Sequence, residues 1–411
     1  MKSSLLEEVL EENTLTEKEK KDVKKKIKCV VKKLKEELKK SKIKAEVMLG
    51  GSAAKDTFLK DFDVDVFIRF DRRRYLDENI SKILAGVVRQ FKAKRIHGSR
   101  DYFGAKIDGI SYEFVPVLNI EDPGQAVNVT DASPLHVNWV LSKLNQRLRN
   151  DILLLKLFCK ANHCYGAESY IKGFSGHVID ILIIYYDGFE RVLRASQHWK
   201  PYDIIDVSKH KVRFMNKSKI SPLIVVDPIQ PDRNAAAALS MERFKLFKER
   251  AGAFLEKPSK DFFMRKEFDV EKIKRKFKED DVFVVNVGAR SGKEDVVGAK
   301  LLKAFEFIAK RIKKEGFTLK QADWKWNKAR KAEFYFVVKR EVLPEKMEIE
   351  GPPVFVKRHV AAFKKKHKDT FVKKGRLYAN VKRPFRKTKK LLQNLIKDTY
   401  ITEKVKTIEL K

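Results

Sequence analysis

Apolar and polar positions change period several times along this chain, and those changes mark its elements. Between residues 5 and 41 the period is helical. After a capping box at Thr14-Leu15-Thr16-Glu17, the residues Val23, Ile27, Val30, Val31, Leu34 and Leu38 recur on one face among lysines and glutamates. Residues 44–49 read as a strand, 52–59 as a short helix and 63–70 as a second apolar strand. A helix at about 77–92 and a strand at 110–117 complete a small α/β sheet region. From about 134 to 255 the pattern turns helical. Residues 150–160 are apolar nearly all round, which predicts a central buried helix, and Val178 to Tyr186 predicts another. Residues 222–231 read as a short strand leaving into a turn, after which Asp232-Arg233-Asn234 caps an Ala-rich helix start. Beyond about 260, strands at 282–287 and 331–339 flank a helix at 296–314, an α+β alternation. The fold class expected is α+β multidomain, with boundaries at 1–133, 134–258 and 259–411.

Charge changes this picture most. Lysine and arginine number 91 against 56 acidic residues, a net charge of +35, which predicts a polyanionic partner. Hydrophobic residues at 43% and aromatics at 10% place the chain among globular proteins. No apolar run approaches the ~18 residues of a membrane span, and the N-terminus carries no signal-peptide pattern, so a cytoplasmic protein is expected. Cys29, Cys159 and Cys164 have neither disulfide-framework nor zinc-site spacing and read as ordinary thiols. After Gly351-Pro352-Pro353 the chain is very basic, with Phe355, Phe363, Phe371, Tyr378 and Phe385 interleaved. Such aromatics either stack on bases between phosphate-binding lysines or fill a core beneath solvated ones.

The candidate chemistry sits early. Gly50-Gly51-Ser52 follows a strand, and Asp63-Val64-Asp65 opens the next one. Side chains two apart on a strand share a face at ~7 Å, so the two carboxylates repel unless a cation lies between them, typically a pair of Mg²⁺ ions. The glycines leave room for backbone N–H groups, with Ser52 at a helix N-terminus, to hold phosphate oxygens. Glu113 is a third carboxylate, in the apolar strand Ile110 to Val117. An isolated Asp-x-Asp is usually a solvated face and an isolated Gly-Gly-Ser a turn; their order here points to nucleotidyl transfer. Lys156, inside an apolar helix, calls for an anionic partner.

With these residues in hand, the chain resembles the archaeal, class I CCA-adding enzymes, the tRNA nucleotidyltransferases. The resemblance runs through Gly51-Ser52, Lys55-x-Thr57, Asp63-x-Asp65, Glu113-x-Val115-Pro116, Ser133-Pro134-Leu135-His136 and Leu154-Leu155-Lys156. It continues through Tyr165-Gly166, Gly173-Phe174-Ser175-Gly176, Val226-Asp227-Pro228 with Arg233-Asn234, and Gly351-Pro352. It implies a polymerase-β-like palm as head, a helical nucleotide-binding neck, and a tRNA-binding body with a basic tail. The implied partners are tRNA, CTP and ATP, with two Mg²⁺ ions as cofactor, no membrane, and room for a homodimer.

Asp63, Asp65 and Glu113 would hold the metals by this resemblance. Gly51, Ser52, Lys55, His136, Lys156 and Tyr165 would hold the triphosphate, and Arg233 would face the base with the tRNA backbone. The family usually has Asp where Glu113 stands, and Arg where Lys55 stands, and a lysine gives a point charge instead of a fork. The alternatives are a related poly(A) polymerase or oligoadenylate synthetase, which share the palm, or a non-catalytic RNA-binding protein on a decayed palm. A membrane-surface protein fits the charge but lacks an amphipathic anchor.

Overall fold

Strand β2 (Asp63–Asp71) alternates strictly: Val64, Val66, Ile68 and Phe70 are fully buried, while Asp63 and Asp65 lie on the opposite face. The buried side packs on the helices Glu17–Lys40 and Ile80–Val88 through Ile27, Val30, Leu34 and Leu84, which joins them in one core. β2 belongs to a five-stranded sheet with β1 (Ala45–Leu49), β3 (Lys94–Ile96), β4 (Tyr102–Ile107) and β5 (Ile110–Asn119), in the order β1-β2-β5-β4-β3. β2 and β5 run parallel, and the other pairs are antiparallel. In this computed structural model, which describes residues 2–210, 216–265 and 269–411, the chain forms two units, Met1–Lys266 and Glu267–Lys411.

The rest of the first unit is mainly helical: Ser133–Lys143, Gln146–Ala161, Gly176–Tyr186, Phe189–His198 and Met241–Glu256. Gln146–Ala161 is the buried central helix that its sequence predicts. Its Phe158 is ringed by Phe189, Phe247, Phe254, Phe262 and Phe263, with centroids 5.9–6.3 Å away. The second unit holds a four-stranded antiparallel sheet, in the order Thr407–Leu410, Asp280–Gly288, Lys331–Lys339, Leu319–Trp326. Helix Glu294–Lys314 covers it with Leu301, Ala304, Ile308 and Ile312. A second sheet pairs Lys346–Pro353, Arg376–Lys382 and Thr370–Lys373. Among the described residues no helix is long and apolar enough to cross a membrane.

Three local expectations need correction. The capping box is Thr16 with Glu19, not Thr14 with Glu17: the Thr16 side chain accepts from the Glu19 N–H while Glu19 accepts from the Thr16 N–H. Residues 232–240 are not a helix. Asn234 accepts from the N–H groups of Val225 and Ala236 and donates to Lys219 O and Ser221 Oγ, which ties the turn to the strand Leu223–Val225. The next helix begins only at Met241, capped by Ser240. The helix expected at 52–59 is Gly51–Lys55, because Asp56 takes the left-handed conformation (φ 56°) and ends it.

Of the tail aromatics, Phe355 alone stands well out of the surface, 80% exposed. Phe371 stacks on Tyr378, Phe363 packs by His367, and Phe385 lies against the core of the second unit. Phe385 thus serves the core, while Phe363, Phe371 and Tyr378 are half-buried and make local ring contacts outside it.

Candidate active site

The parallel pairing of β2 with β5 sets Asp65 directly beside Glu113, with Asp63 beside Ser111. Two carboxylates from one strand and one from its neighbour thus converge at one end of the sheet. None of the three forms an ion pair among the described residues. Burial, then the charges of Asp63 and Lys55 in opposite senses, leave Asp65 pushed up to about 6. Burial and the charges of Asp65 and Asp63 push Glu113 up to about 7. Gly51 crosses this site with φ +52°, and a Cβ there would stand 1.7 Å from Asp65 Oδ2; only glycine admits the carboxylate. Three carboxylates with no ion-pair partner among the described residues, of which burial makes Asp65 and Glu113 favour their protons, fit a hard divalent cation.

The remaining expected residues lie in the same unit. Lys55, at the end of the short Gly51–Lys55 helix, is buried and pairs with Asp180 of helix Gly176–Tyr186. Ser52 lies in the same short helix, where its carbonyl accepts from the Asp56 N–H.

Lys156 has no ion-pair partner among the described residues. Its ammonium donates to the Thr57 carbonyl (2.9 Å) and hydroxyl (3.3 Å), not to a carboxylate, because the nearest acid, Asp180, is taken by Lys55. Burial holds Lys156 down at about 8. One fully buried carboxylate set against two buried ammonium groups leaves net positive charge, an environment suited to an anion. Tyr165 adjoins this group: its ring lies 5.3 Å from Lys160 Nζ, and burial, then the charges of Asp180 and Asp63, raise its hydroxyl pKa.

His136, from helix Ser133–Lys143, reaches the fully buried Asp227, with Nε2 2.8 and 3.0 Å from its two oxygens. Arg233 binds the same carboxylate at 3.0 Å, not its neighbour Asp232. His177 Nε2 stands 3.6 Å from it, and the two imidazoles meet edge-on at 4.6 Å. Burial alone would raise Asp227, yet the hydrogen bond from His136 and the nearby His177 imidazole hold it well below the usual carboxylate range. Burial also lowers His177.

Asp180, His177 and Asp227 escaped the sequence reading as site residues. For Asp180 a signal was present: an acid inside the apolar run Val178 to Tyr186 poses the same question as Lys156 in its helix.

A strand, two glycines and a short helix leading into an Asp-x-Asp strand, with the third carboxylate on the parallel neighbour, define a nucleotidyltransferase. Residues 31–136 match the family model described as nucleotidyltransferase domain. Residues 150–264 match that of tRNA nucleotidyltransferase, second domain, and residues 278–407 that of CCA-adding enzyme, C-terminal domain. The CCA-adding enzyme of Methanothermobacter thermautotrophicus is 31% identical over 86% of this chain and 80% of its own length. That of Nanoarchaeum equitans is 32% identical over 83% and 84%, and that of Pyrobaculum islandicum 30% over 93% and 91%. The chain belongs to the family of CCA-adding enzymes. Its fold is also similar to the Cid1 poly(U) polymerase bound to MgATP, with a TM-score of 0.50 at 15% identity over 64% of this chain and 98% of that one.

Proposed function

We propose that this chain is a template-independent tRNA nucleotidyltransferase that adds C, C and A to the tRNA 3′ end from CTP and ATP. The observation that carries the reading is the Asp65–Glu113 pairing across two parallel strands, with Asp63 on the same face and none of the three in an ion pair among the described residues. Asp63, Asp65 and Glu113 would hold two Mg²⁺ ions. Bound there, such ions supply Lewis-acid chemistry, favouring ionisation of the primer hydroxyl and neutralising the departing pyrophosphate.

The chain's own residues orient the reactants. Gly51 lets the phosphate-facing turn lie against Asp65. Ser52, Lys55, His136, Lys156 and Tyr165 face the triphosphate, where the net charge left by Lys55, Lys156 and Asp180 favours an anion. Arg233, half-exposed and anchored on one nitrogen, faces the incoming base. In this reading residues 1–133 are the palm, 134–258 the nucleotide-binding neck, and 259–411 the body and basic tail that hold tRNA. The test is incubation of tRNA lacking its 3′ terminus with each nucleoside triphosphate in turn, and then with CTP and ATP together. The expected products are two added C residues with CTP alone and CCA with both. A homopolymer of A or U would instead indicate a tailing enzyme of the same fold.

A pH dependence follows from Lys156. Its pKa falls from 10.5 in the unfolded chain to about 8 in the folded protein. Between these values the unfolded state binds more protons, so stability rises with pH across that window. Its charged form, the one that holds phosphate, is lost above about 8. KM for CTP should therefore climb above pH 8 by up to about tenfold per pH unit. Lys156→Met should show a high KM with that limb gone, as read from initial rates between pH 6.5 and 9.5. An unchanged limb in the variant would remove Lys156 from triphosphate binding.

A further inference from the structure

We infer that Asp227 is the positioning residue that couples base reading to triphosphate docking, holding Arg233 and His136 through one carboxylate. The inference rests on the proposed roles of those two residues and goes beyond them.

Asp227 has no exposed surface, and both its oxygens are occupied. Oδ1 accepts from the N–H groups of Ile229 (2.9 Å) and Gln230 (3.1 Å) as well as from His136, and Oδ2 accepts from Arg233. The turn is closed by its backbone too: the Asp227 N–H donates to the Arg233 carbonyl (3.0 Å), and the Arg233 N–H to Gln230 O (2.9 Å). Arg233 is thus tied to Asp227 at both main chain and side chain. Its guanidinium is nonetheless 47% exposed, and its other N–H groups have no protein partner among the described residues. A fork anchored by one nitrogen, with its other donors open, is pre-oriented toward an acceptor pattern in place of sweeping the solvent.

His136 arrives from a helix 91 residues earlier in the chain and meets the same carboxylate. Moving either side chain changes the charge balance on Asp227, so the position of the triphosphate and that of the base become linked. The donor atoms of His136, His177 and Asp227 lie within 4.8 Å of one another, a set that could otherwise ligate a metal. The carboxylate's oxygens, however, already take backbone, imidazole and guanidinium donors, and the cation beside them is Arg233.

Asp227→Asn in the full chain keeps an acceptor for the Ile229 and Gln230 N–H groups and removes the charge. The measurements are kcat and KM for all four nucleotides, on tRNA ending before the first C and on tRNA ending before the A. Arg233→Ala and the double variant are run beside it. Asp227→Asn should admit UTP and GTP about tenfold more readily relative to CTP and ATP, and raise KM more than it lowers kcat. The double variant should discriminate no worse than Arg233→Ala alone, because one residue acts through the other.

Additive losses would overturn the inference, as would an Asp227→Asn enzyme that is uniformly slow with discrimination intact while Arg233→Ala loses it. Intact discrimination in Arg233→Ala would overturn the base-reader role itself, and this inference with it. Should Asp227→Asn not fold by circular dichroism, His136→Asn decides the matter. A changed nucleotide preference supports the coupling, and an equal rise in KM for all four nucleotides overturns it.

Discussion

Asp65→Asn should lower nucleotide incorporation at least about a thousandfold, while tRNA affinity and thermal stability at neutral pH are retained or improved. Asp65 is one of three carboxylates that form no ion pair among the described residues, and in the proposed reading its charge serves to hold a cation. Asp63→Ala should be as severe. Glu113→Gln should also be severe, whereas Glu113→Asp, which keeps the carboxylate, should be tolerated or better. Rates with truncated tRNA and binding by filter retention check each variant. Substantial incorporation by Asp65→Asn would sink the assignment.

The same groups have a signature in stability. In the metal-free protein Asp65 rises from 3.8 to about 6 and Glu113 from 4.5 to about 7. The folded state therefore keeps protons that the unfolded chain has released, and stability falls as pH rises from about 4 to about 7. Melting curves of Asp65→Asn should show a shallower fall over that window. Divalent cation should raise the wild-type melting temperature more at pH 7 than at pH 5.5.

Removing five positive charges from one short helix should cut tRNA affinity and flatten its salt dependence. On Lys357–Lys366, the side chains of Lys357, Arg358, Lys364, Lys365 and Lys366 are exposed and have no acidic partner among the described residues. The neighbouring sheet differs: Lys373 pairs with Glu348, Arg376 with Glu350, and Lys346 with Asp369. Cations already neutralised within the protein have less to gain from a phosphate, so the helix is the better candidate for holding the polyanion. Each phosphate that the protein no longer neutralises should reduce the slope of log K against log salt by about 0.7–0.9. With all five replaced by Gln, binding at 50 mM salt should weaken by roughly two orders of magnitude, with the choice of nucleotide unchanged. The check is dissociation constants between about 50 and 200 mM salt. An unchanged slope would return the helix to a solvated surface.

Much of the fold was legible from period alone. The alternation in Asp63–Asp71 requires one buried face and one carrying both acids, and the all-round apolarity of residues 150–160 requires burial. Both patterns are local, set by the side-chain spacing of strand and helix. The capping box and the helix expected after Asn234 were misread because short polar side chains serve caps, turns and cross-links alike. Asn234 bonds back to a strand that only packing brings near it.

The candidate site divides in the same way. The sequence determined that Asp63 and Asp65 share a face, that Glu113 is an acid in an apolar strand, and that Lys156 needs satisfying in its helix. Only the tertiary structure decided that β2 and β5 lie parallel in the register that sets Asp65 beside Glu113. It likewise decided that Asp180 takes Lys55 and leaves Lys156 to Thr57, and that Asp227 gathers Arg233 and His136. Those partners lie 125, 99 and 91 residues apart for Lys55, Lys156 and His136. Over such separations the choice of partner is made by which buried faces meet and which charges must be matched once water is excluded, and no local pattern of residues encodes that.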